Sequence, residues 1–490
     1  MRQETKVVIG LRWFFAVCFC TALLGVITVN YPLAGVILFL TGLLILVSRI
    51  NVSHRGGSEL VSKFPLLLFL ISLVVRLGAV VLITTPIESD FALQYQASQQ
   101  FARGDFSFQD TVYFQRWGYQ TGLVIWQGTL LKLWNTPLLL RLVNCLVSAG
   151  TNVWIYLIAR DYFTQRAAQL ASLAYAFFLF PATFVTVLCN SIPSGFFLTL
   201  CLYLIMARRF ESCPRLPVYA LAGASLALAN ALRPDAPLVL VPLLAYFLFR
   251  FVSKASLKNF IAYLKKFLAL FLTFLVLSTA LSGLVKLTGV NAAGLKNNDP
   301  LWGMVLGTNT ETGGTYNDGD GQAISVLTQQ GMTRSEAERQ VISQHLQVGP
   351  AKFLETAVRK VRTLWWDSAL GWSLSSIRQT SPVLFELLEE IDRAMFTCAL
   401  FLAGLGALAL FRRPRKDMKL YLVPFVIFAA SCVYLLIEVQ PRYAYVGQIA
   451  VFVLMAGGTQ VVVSLWETAA SSWRALARSR RTLEEPPKTR

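Results

Sequence analysis

Two carboxylates lie close together immediately after an apolar segment of the chain. Glu88 and Asp90 are separated by one residue and follow the run 64–85. Paired acids of this kind can bind a divalent cation, or one can act as a general base while the other tunes its pKa. Acids in this position are also typical of a cap at the start of the next helix. The pair alone leaves a catalytic and a capping role open.

Further ionisable residues lie at the ends of other apolar segments. They are Arg141, Arg233, Asp235, Glu438 and Arg442, while Arg76 lies inside such a segment. Ionisable groups are costly at the depth of a membrane, so function is the first hypothesis for each of them. An arginine near the end of a span can instead extend its charged head to the surface along its aliphatic stem. A carboxylate lacks such a stem, which makes the acids the stronger candidates.

The elements that must position these residues are membrane-spanning helices. Of 490 residues, 55% are hydrophobic and 14% are charged, against a charged fraction of roughly 25% in a typical soluble domain. Several apolar runs reach the ~20 residues that a helix needs to cross a bilayer. This composition excludes a soluble fold and predicts an all-α polytopic membrane protein with about 12 transmembrane helices. The predicted spans are 7–29, 32–48, 64–85, 138–158, 167–187, 190–207, 216–232, 236–251, 267–287, 394–411, 420–437 and 443–465.

The net charge of +18 is distributed mainly in short loops between these spans. Loops rich in Lys and Arg remain on the cytoplasmic side of a membrane. Twelve crossings with both termini cytoplasmic place every basic loop on that side. The segment 119–134 is apolar but short and contains tryptophans, so we expect an interfacial or re-entrant helix at the outer face. Because the basic residues form no basic domain, no nucleic-acid partner is predicted.

This topology divides the chain into five regions. They are an N-terminal transmembrane hairpin at 1–50, a transmembrane core at 64–287 with a first outward loop at 86–137, a second outward loop with amphipathic helices at 288–393, C-terminal spans at 394–466, and a basic cytoplasmic tail at 467–490. The second loop opens with a stretch rich in Gly, Asn and Asp, which is typical of irregular structure. It continues from Ser335 with helical periodicity. Since the candidate acids lie at outward ends, the predicted site is extracytoplasmic.

The order of these residues resembles the polytopic glycosyltransferases of the GT-C class, especially the family-39-like protein O-mannosyltransferases and lipid A aminoarabinose transferases. Members of that family carry an acid just after an early span, with Tyr, Ala and Gly behind it. This pattern is matched by Asp90, Tyr95, Ala97 and Gly104. Other segments that look like the family are Leu140-Arg141-Leu142 with Asn144, Ala231-Leu232-Arg233-Pro234-Asp235, Gly349-Pro350, and Gln440-Pro441-Arg442-Tyr443-Ala444-Tyr445. The resemblance extends over most of the chain.

The resemblance implies transfer of a sugar, with inversion, from a polyprenyl-phosphate donor to an extracytoplasmic glycan, lipid or protein acceptor. It implies that Asp90 is the catalytic base and Glu88 an auxiliary. The other roles that it implies are donor-phosphate binding by Arg233, Arg442 and Arg141, and substrate binding by Tyr95, Asp235 and Tyr443. Arginine suits phosphate because its planar fork matches phosphate oxygens and keeps its charge.

Two departures from the family pattern concern metal binding. Asn190-Ser191 stand where the family's second acid is expected, and Gln440 or Pro441 replaces the usual histidine before Arg442. No metal ligand and no cofactor is therefore assigned, while the resemblance leaves room for Mg²⁺ or Mn²⁺. The first two spans precede the family's usual start and look like an addition.

Two other functions remain open from the residues. A lipid-linked polysaccharide polymerase or ligase would share the outward site and its arginines, with His345, one of two histidines, as its candidate base. A lone histidine on a loop helix is more often a surface residue. A lipid or sugar transporter would carry charges near the bilayer midplane and internal repeats. The sequence offers only Arg76 in that position and no repeat.

Overall fold

The computed structural model describes residues 57–210, 215–253, 257–410 and 419–484. The predicted spans at 7–29 and 32–48 lie outside the described residues. Within the described ranges the chain forms helices and no β-strand, and an isolated bridge pairs Trp117 with Asn297. The expected all-α fold is confirmed.

Nineteen α-helices follow one another in these ranges. Their bounds are α1 Gly57–Leu82, α2 Ser89–Ala102, α3 Val112–Arg116, α4 Thr121–Leu131, α5 Pro137–Tyr162, α6 Gln165–Phe177, α7 Leu179–Thr183, α8 Ser191–Met206, α9 Arg215–Leu232, α10 Pro237–Ser253, α11 Leu257–Leu287, α12 Trp302–Thr308, α13 Asp318–Gln329, α14 Arg334–His345, α15 Pro350–Trp365, α16 Ser375–Thr380, α17 Pro382–Ala409, α18 Leu422–Leu436 and α19 Tyr445–Glu484. Helices α2 to α4 form the first predicted outward loop, and α12 to α16 lie in the second.

Six of these helices are long and apolar enough to cross a membrane, namely α1, α5, α11, α17, α18 and α19. A seventh span results if α6 and the segment Leu179–Thr186, which meet at a bend of 55°, are counted together. Helices α8, α9 and α10 are apolar but shorter. The 16 residues of α8, for example, cover about 24 Å at ~1.5 Å per residue. The multi-span architecture is confirmed, whereas the count of 12 stays a prediction.

The short apolar segment after Trp117 forms helix α4. Its 11 residues cover about 16 Å, well short of a hydrocarbon core about 30 Å thick. The helix packs closely on its neighbours. A Cβ on Gly128 would lie 2.9 Å from the carbonyl oxygen of Ser98 in α2, and a Cβ on Gly122 would overlap the backbone of Ala231 in α9. Its length agrees with the expectation that segment 119–134 does not cross.

Glycines allow α17 and α19 to pack closely in the core. A Cβ on Gly406 would lie 2.3 Å from the carbonyl oxygen of Leu454, and one on Gly458 would lie 1.8 Å from that of Leu402. Small residues allow this close approach between membrane helices, where van der Waals packing provides much of the attraction. The contact joins α17 to α19, the helix that follows the residues 437–444, which carry much of the candidate site.

Helix ends gather at two opposite faces of the bundle. At one face, the hydroxyl of Thr85 after α1 lies 2.6 Å from the hydroxyl of Thr186 and 2.8 Å from the carbonyl oxygen of Ser373. At the other face, the backbone N–H of Arg208 donates to Asp161 at 2.8 Å. The basic residues at this second face include Arg160, Arg166, Arg208 and Arg209. The two predicted outward loops lie at the first face.

The two loops are bonded to each other. The backbone N–H of Tyr119 donates to the carbonyl oxygen of Lys296 at 3.1 Å. Asp299, whose side chain is almost completely buried, forms ion pairs with Arg116 of the first loop at 2.6 Å and with Arg334 of the second at 3.0 Å. The loops therefore form one connected layer over the helix ends.

Candidate active site

Asp90 lies in the first turn of α2, directly after a strained residue. Ser89 has a φ of 55° and is the one non-glycine residue of the described ranges with positive φ. Glu88 before it is extended, with φ −134° and ψ 171°. A left-handed conformation at a residue with a side chain costs of order 1–3 kcal/mol, and such strain is concentrated at functional sites. The strain therefore marks the acidic pair as a candidate site.

The carboxylate of Asp90 has no bonded partner in the described part of the chain, where it accepts no hydrogen bond and forms no ion pair. Although Asp90 is accessible to solvent, the protein atoms around it raise the pKa of its carboxyl by desolvation. The positive charge of Arg442 acts in the opposite direction. A carboxylate with a raised pKa and unoccupied lone pairs is suited to accept a proton.

Arg442 lies beside Asp90 in an aromatic cage. Its guanidinium carbon is 5.1 Å from the ring centre of Phe91 and 4.6 Å from that of Trp372. Its Nε donates to the side chain of Gln440 at 2.7 Å. Neither Nη bonds to any of the described residues. Two donors of the fork are therefore open, and such a fork matches two oxygens of a phosphate.

Tyr443 links Arg442 to Arg233. Its ring centre lies 5.1 Å from the guanidinium carbon of Arg233 and 5.5 Å from that of Arg442, and its hydroxyl donates to Glu438 at 3.2 Å. We call this group the arginine cluster; it consists of Asp90, Arg233, Asp235, Glu438, Arg442 and Tyr443. The structure thus brings together five of the eight residues to which the resemblance assigned a role.

Arg233 uses all three of its nitrogens inside the protein. Its Nε pairs with Asp235 at 2.7 Å. Its Nη1 donates to Ser191 at 2.9 Å and its Nη2 to the hydroxyl of Tyr434 at 3.4 Å. Asp235, predicted to bind substrate, is therefore the ion-pair partner of Arg233. Phosphate binding by Arg233 stays a prediction, and its donors would have to leave protein partners to perform it.

Arg141 and Tyr95 lie apart from the arginine cluster. Arg141 donates from Nε to the carbonyl oxygen of Thr186 at 3.0 Å and from Nη2 to that of Thr85 at 2.6 Å. The hydroxyl of Tyr95 accepts a hydrogen bond from Gln99 at 3.2 Å. No hydrogen bond, ion pair or ring contact between described residues joins either one to the cluster. Arg141 links the end of α1 to the segment after α7, and phosphate binding by Arg141 stays a prediction.

Glu438 and Gln440 belong to the site but received no role from the sequence. Gln440 donates to Glu438 at 2.6 Å and accepts from Arg442. Burial raises the pKa of the Glu438 carboxyl, while the hydrogen bond from Gln440 and the charge of Arg442 lower it; Asp90 acts to raise it. The alternation of polar residues at 438, 440 and 442 is a sequence signal that indicates a shared side of an extended segment.

Tyr119 is another residue to which the sequence gave no role in the site. It lies where the charges of Arg233 and Asp90 act on its hydroxyl, and burial, the largest effect, raises its pKa to about 12. The hydroxyl therefore stays protonated at neutral pH and can donate a hydrogen bond in the site. Because Tyr119 begins an apolar segment, its pattern indicates the interfacial helix and gives no signal of this role.

Lys360 supports the site from α15. Only 2% of it is exposed, and its Nζ donates to the carbonyl oxygens of Gly307 at 2.8 Å and Leu435 at 2.9 Å. Burial lowers the pKa of Lys360 to about 8, and the charge of Glu438 acts to raise it. Lys360 thus fastens the second loop to the end of α18, immediately before Glu438.

The donor atoms of the site do not fit a divalent cation. Asp90 faces a guanidinium, and within the described ranges no group of three His, Cys, Asp or Glu side chains could hold a metal ion. Asn190 and Ser191, at the position of the expected second acid, bond to Gln120 and Arg233. No part of the transfer step proposed below is therefore assigned to a metal.

His345, the candidate base of a polymerase or ligase, lies at the end of α14. Its Nδ1 is 3.2 Å from the hydroxyl of Thr308, and its Nε2 is 3.4 Å from Asp320. Asp320 also accepts two hydrogen bonds from Asn309. Both ring nitrogens of His345 thus have partners inside the second loop.

Solved structures that resemble this chain include oligosaccharyltransferases of an archaeon. The oligosaccharyltransferase of Archaeoglobus fulgidus in its apo form is 14% identical, with a TM-score of 0.49, over 87% of this chain and 53% of that chain. The oligosaccharyltransferase AglB of the same organism, in complex with an inhibitory peptide and a dolichol-phosphate, is 13% identical, with a TM-score of 0.46, over 86% of this chain and 52% of that chain. This chain therefore spans about half the length of these proteins.

Sequence comparison gives a match over part of the chain. No curated protein matches it significantly. Residues 122–278, about a third of the chain, match the family model of the dolichyl-phosphate-mannose-protein mannosyltransferases. The matched part includes Arg141, Arg233 and Asp235, and Asp90 and Arg442 lie outside it. The match confirms the predicted resemblance to GT-C glycosyltransferases over these residues.

Proposed function

We propose that this protein transfers a sugar, with inversion, from a polyprenyl-phosphate-linked donor to an acceptor outside the cytoplasm. The observation that carries the proposal is the pairing of an unbonded carboxylate with an open guanidinium fork. Asp90 and Arg442 provide these two groups, and Phe91, the residue after Asp90, lies against the fork. The match at residues 122–278 to enzymes named for a dolichyl-phosphate-mannose donor supports the class of donor.

Arg442 binds the phosphate of the donor through its two open Nη groups. A charge-assisted, two-pronged contact of this kind is short and strong. It acts most strongly when the phosphate leaves, because the phosphate then gains a negative charge. Arg233, held by Asp235 and Ser191, supplies a second positive charge across the ring of Tyr443.

Asp90 accepts the proton of the attacking acceptor group. As the acceptor oxygen forms a bond to the anomeric carbon, the bond from that carbon to the phosphate oxygen breaks, and both electrons of that bond leave with the phosphate. The proton moves from the acceptor hydroxyl to Asp90, and the polyprenyl phosphate departs as a dianion. Attack on the face opposite the leaving group inverts the anomeric carbon. The raised pKa of Asp90 improves its match to a general base working near neutral pH.

The site lies at the ends of apolar helices, where a lipid-linked donor can reach it. Residues 437–444 connect α18 to α19, and Asp90 follows the end of α1 by eight residues. A lipid-linked donor can keep its polyprenyl chain in the bilayer while its phosphate reaches such helix ends. The basic residues Arg160, Arg166 and Arg209 at the opposite face support a cytoplasmic orientation for that face. The site would then be extracytoplasmic, with both termini inside.

A transfer assay in proteoliposomes tests this function. Full-length protein is supplied with a panel of polyprenyl-phosphate sugars and with glycan, lipid and peptide acceptors, and release of polyprenyl phosphate is measured together with the anomeric configuration of the product. We expect acceptor-dependent release from at least one monophosphate-linked sugar, with inversion. Consumption of only pyrophosphate-linked oligosaccharides would favour a polymerase or ligase, and transport of an unaltered lipid without transfer would contradict an enzyme.

A further inference from the structure

The segment between α18 and α19 carries polar side chains at every second position. Gln440 has an extended backbone, with φ −138° and ψ 150°. In an extended chain alternate residues share one side. Glu438 and Gln440 therefore lie on the same side, with Val439 fully buried between them. Arg442 lies in the 3-10 helix Pro441–Ala444 and joins them through its hydrogen bond to Gln440. The arrangement places an amide between a carboxylate and a guanidinium.

Gln440 bridges these two charged groups with one orientation of its amide. Its Nε2 donates to Oε1 of Glu438 at 2.6 Å, and its Oε1 accepts from Nε of Arg442 at 2.7 Å. A carboxylate can only accept and a guanidinium can only donate, so rotating the amide by half a turn would break both bonds. The assignment of the amide oxygen and nitrogen thus follows from the chemistry of the neighbours.

We propose that Glu438 and Gln440 are positioning residues, which hold the fork of Arg442 in the orientation that binds the donor phosphate. This inference rests on the proposed function. The bond to Nε fixes one edge of the guanidinium, and the rings of Trp372 and Phe91 hold its face. Only the edge with the two Nη groups is left for a ligand. Fixing the fork before binding lowers the entropy lost when the phosphate is bound.

The second loop holds this segment by its backbone. The N–H of Glu438 donates to the carbonyl oxygen of Gly303 at 2.7 Å, and that of Val439 donates to Gly314 at 2.9 Å. A Cβ on Gly307 would lie 2.4 Å from the carbonyl carbon of Ile437, so only glycine permits this approach. The backbone is therefore held by the loop, and the side chain of Gln440 is left to orient Arg442.

The same bridge can be made by one other type of side chain. A neutral imidazole has one donor nitrogen and one acceptor nitrogen, as an amide has one donor group and one acceptor atom. The histidine that is usual before the arginine in the resembling family could therefore bond to both neighbours, whereas leucine, of similar size to glutamine, could bond to neither. Replacement by histidine and by leucine separates the hydrogen bonds of Gln440 from the space that it fills.

Binding of a polyprenyl monophosphate to the full-length protein in nanodiscs tests the proposal without requiring transfer, with the matched polyprenyl alcohol as blank. Gln440→Leu should weaken the Kd roughly tenfold, at the lower end of the 10- to 100-fold losses seen when partners that orient metal ligands are removed. In an Arg442→Ala background the same change should cause no further loss, because the residue that it orients is gone. Gln344→Leu, an exposed glutamine on α14, is the matched control and should bind like wild type.

Gln440→His provides a readout that a purely structural role would not give. Its affinity for polyprenyl monophosphate should equal that of wild type near pH 8. At pH values below about 6.5 its affinity should be lower than that of wild type at the same pH, because an imidazolium cannot accept a hydrogen bond from Arg442. The charged groups around the introduced imidazole would be Glu438 and Arg442 on its own segment, Asp90 on α2, Arg233 and Asp235 between α9 and α10, and Lys360 on α15. A thermal melt of each variant verifies folding.

The outcomes separate this proposal from the proposed function. If wild type binds the phosphate no better than the alcohol, both are wrong. If wild type binds but Gln440→Leu binds equally well, the positioning role is wrong and the proposed function stands. If Gln440→Leu lowers the affinity equally in wild type and in the Arg442→Ala background, the positioning role is also wrong, because Gln440 would then act independently of Arg442.

Discussion

Replacing Arg442 by lysine tests whether its open fork is what binds the donor. The substitution keeps a positive charge and removes the planar pair of Nη donors, which bond to no other described residue. A lysine ammonium can replace one of the two phosphate contacts but cannot present two parallel donors from one plane. The charge near Asp90 is retained, so the variant isolates the geometry of the fork from its charge.

The expected loss follows from the number of contacts. A hydrogen bond to a charged group contributes about 1.5–3 kcal/mol, and the variant loses one of two. At ~1.4 kcal/mol per tenfold in affinity, the Kd for polyprenyl phosphate should rise by roughly 10- to 100-fold. Lysine retains part of the cation–π contact with the nearby ring of Trp372, 4.6 Å from the guanidinium carbon, so this contact adds little to the difference.

Arg116→Lys is the matched control for Arg442→Lys. Because Arg116 pairs with the buried carboxylate of Asp299 between the two loops, its replacement should lower the melting temperature and leave the Kd unchanged. Both variants are titrated with polyprenyl phosphate in nanodiscs and melted in parallel. An unchanged Kd for Arg442→Lys, or an equal increase for Arg116→Lys, would refute the assignment of the phosphate to the open fork.

Three further predictions concern the loops and the topology. Gly307→Ala should weaken donor binding by displacing Ile437 and the residues after it, since the added Cβ would lie 2.4 Å from the backbone there; the Kd measures this. Glu338→Gln should raise the melting temperature near pH 8 and have little effect near pH 5. Burial and a neighbouring carboxylate raise the pKa of the Glu338 carboxyl to about 8. The folded protein therefore favours neutral Glu338, and this contribution to stability is complete below the ordinary pKa of a glutamate and is lost as the pH rises to about 8. Equal melting temperatures of wild type and Glu338→Gln at pH 8 would contradict this. A cysteine in place of Thr315 should react with an impermeant reagent on intact cells, and one in place of Ser471 only after permeabilisation; the reverse pattern would invert the proposed orientation.

The sequence could predict which face of the bundle carries the site. Apolar runs of span length and the distribution of basic residues place Asp90, Arg233 and Arg442 at helix ends of one face, and the structure brings these three together. Such patterns are local properties of the chain, and a bilayer acts on them directly. The resemblance to GT-C glycosyltransferases rests on the order of these residues along the chain. It implied a catalytic role for Asp90, which stays a prediction until it is tested.

The sequence could not show which arginine has both Nη groups open. Arg141, Arg233 and Arg442 look alike as cations at helix ends, yet their partners differ. The carbonyl groups that occupy Arg141 belong to Thr85 and Thr186, far from it in the sequence, and backbone carbonyls are present at every position. Only the fold determines which of them meet a guanidinium. Gln440 is a different case, since the alternation of polar residues around it was visible in the sequence.

The most direct test of the proposed mechanism is the rate of sugar transfer by Asp90→Asn, measured beside its affinity for the donor. The variant preserves size and hydrogen bonding but cannot accept the proton, and general-base catalysis typically contributes 10²- to 10⁴-fold. Transfer should fall by at least about two decades while the Kd for the donor stays close to that of wild type. The wild-type rate should rise with pH through the pKa of Asp90, which desolvation raises above its ordinary value. Transfer by Asp90→Asn at a rate near that of wild type would contradict the mechanism.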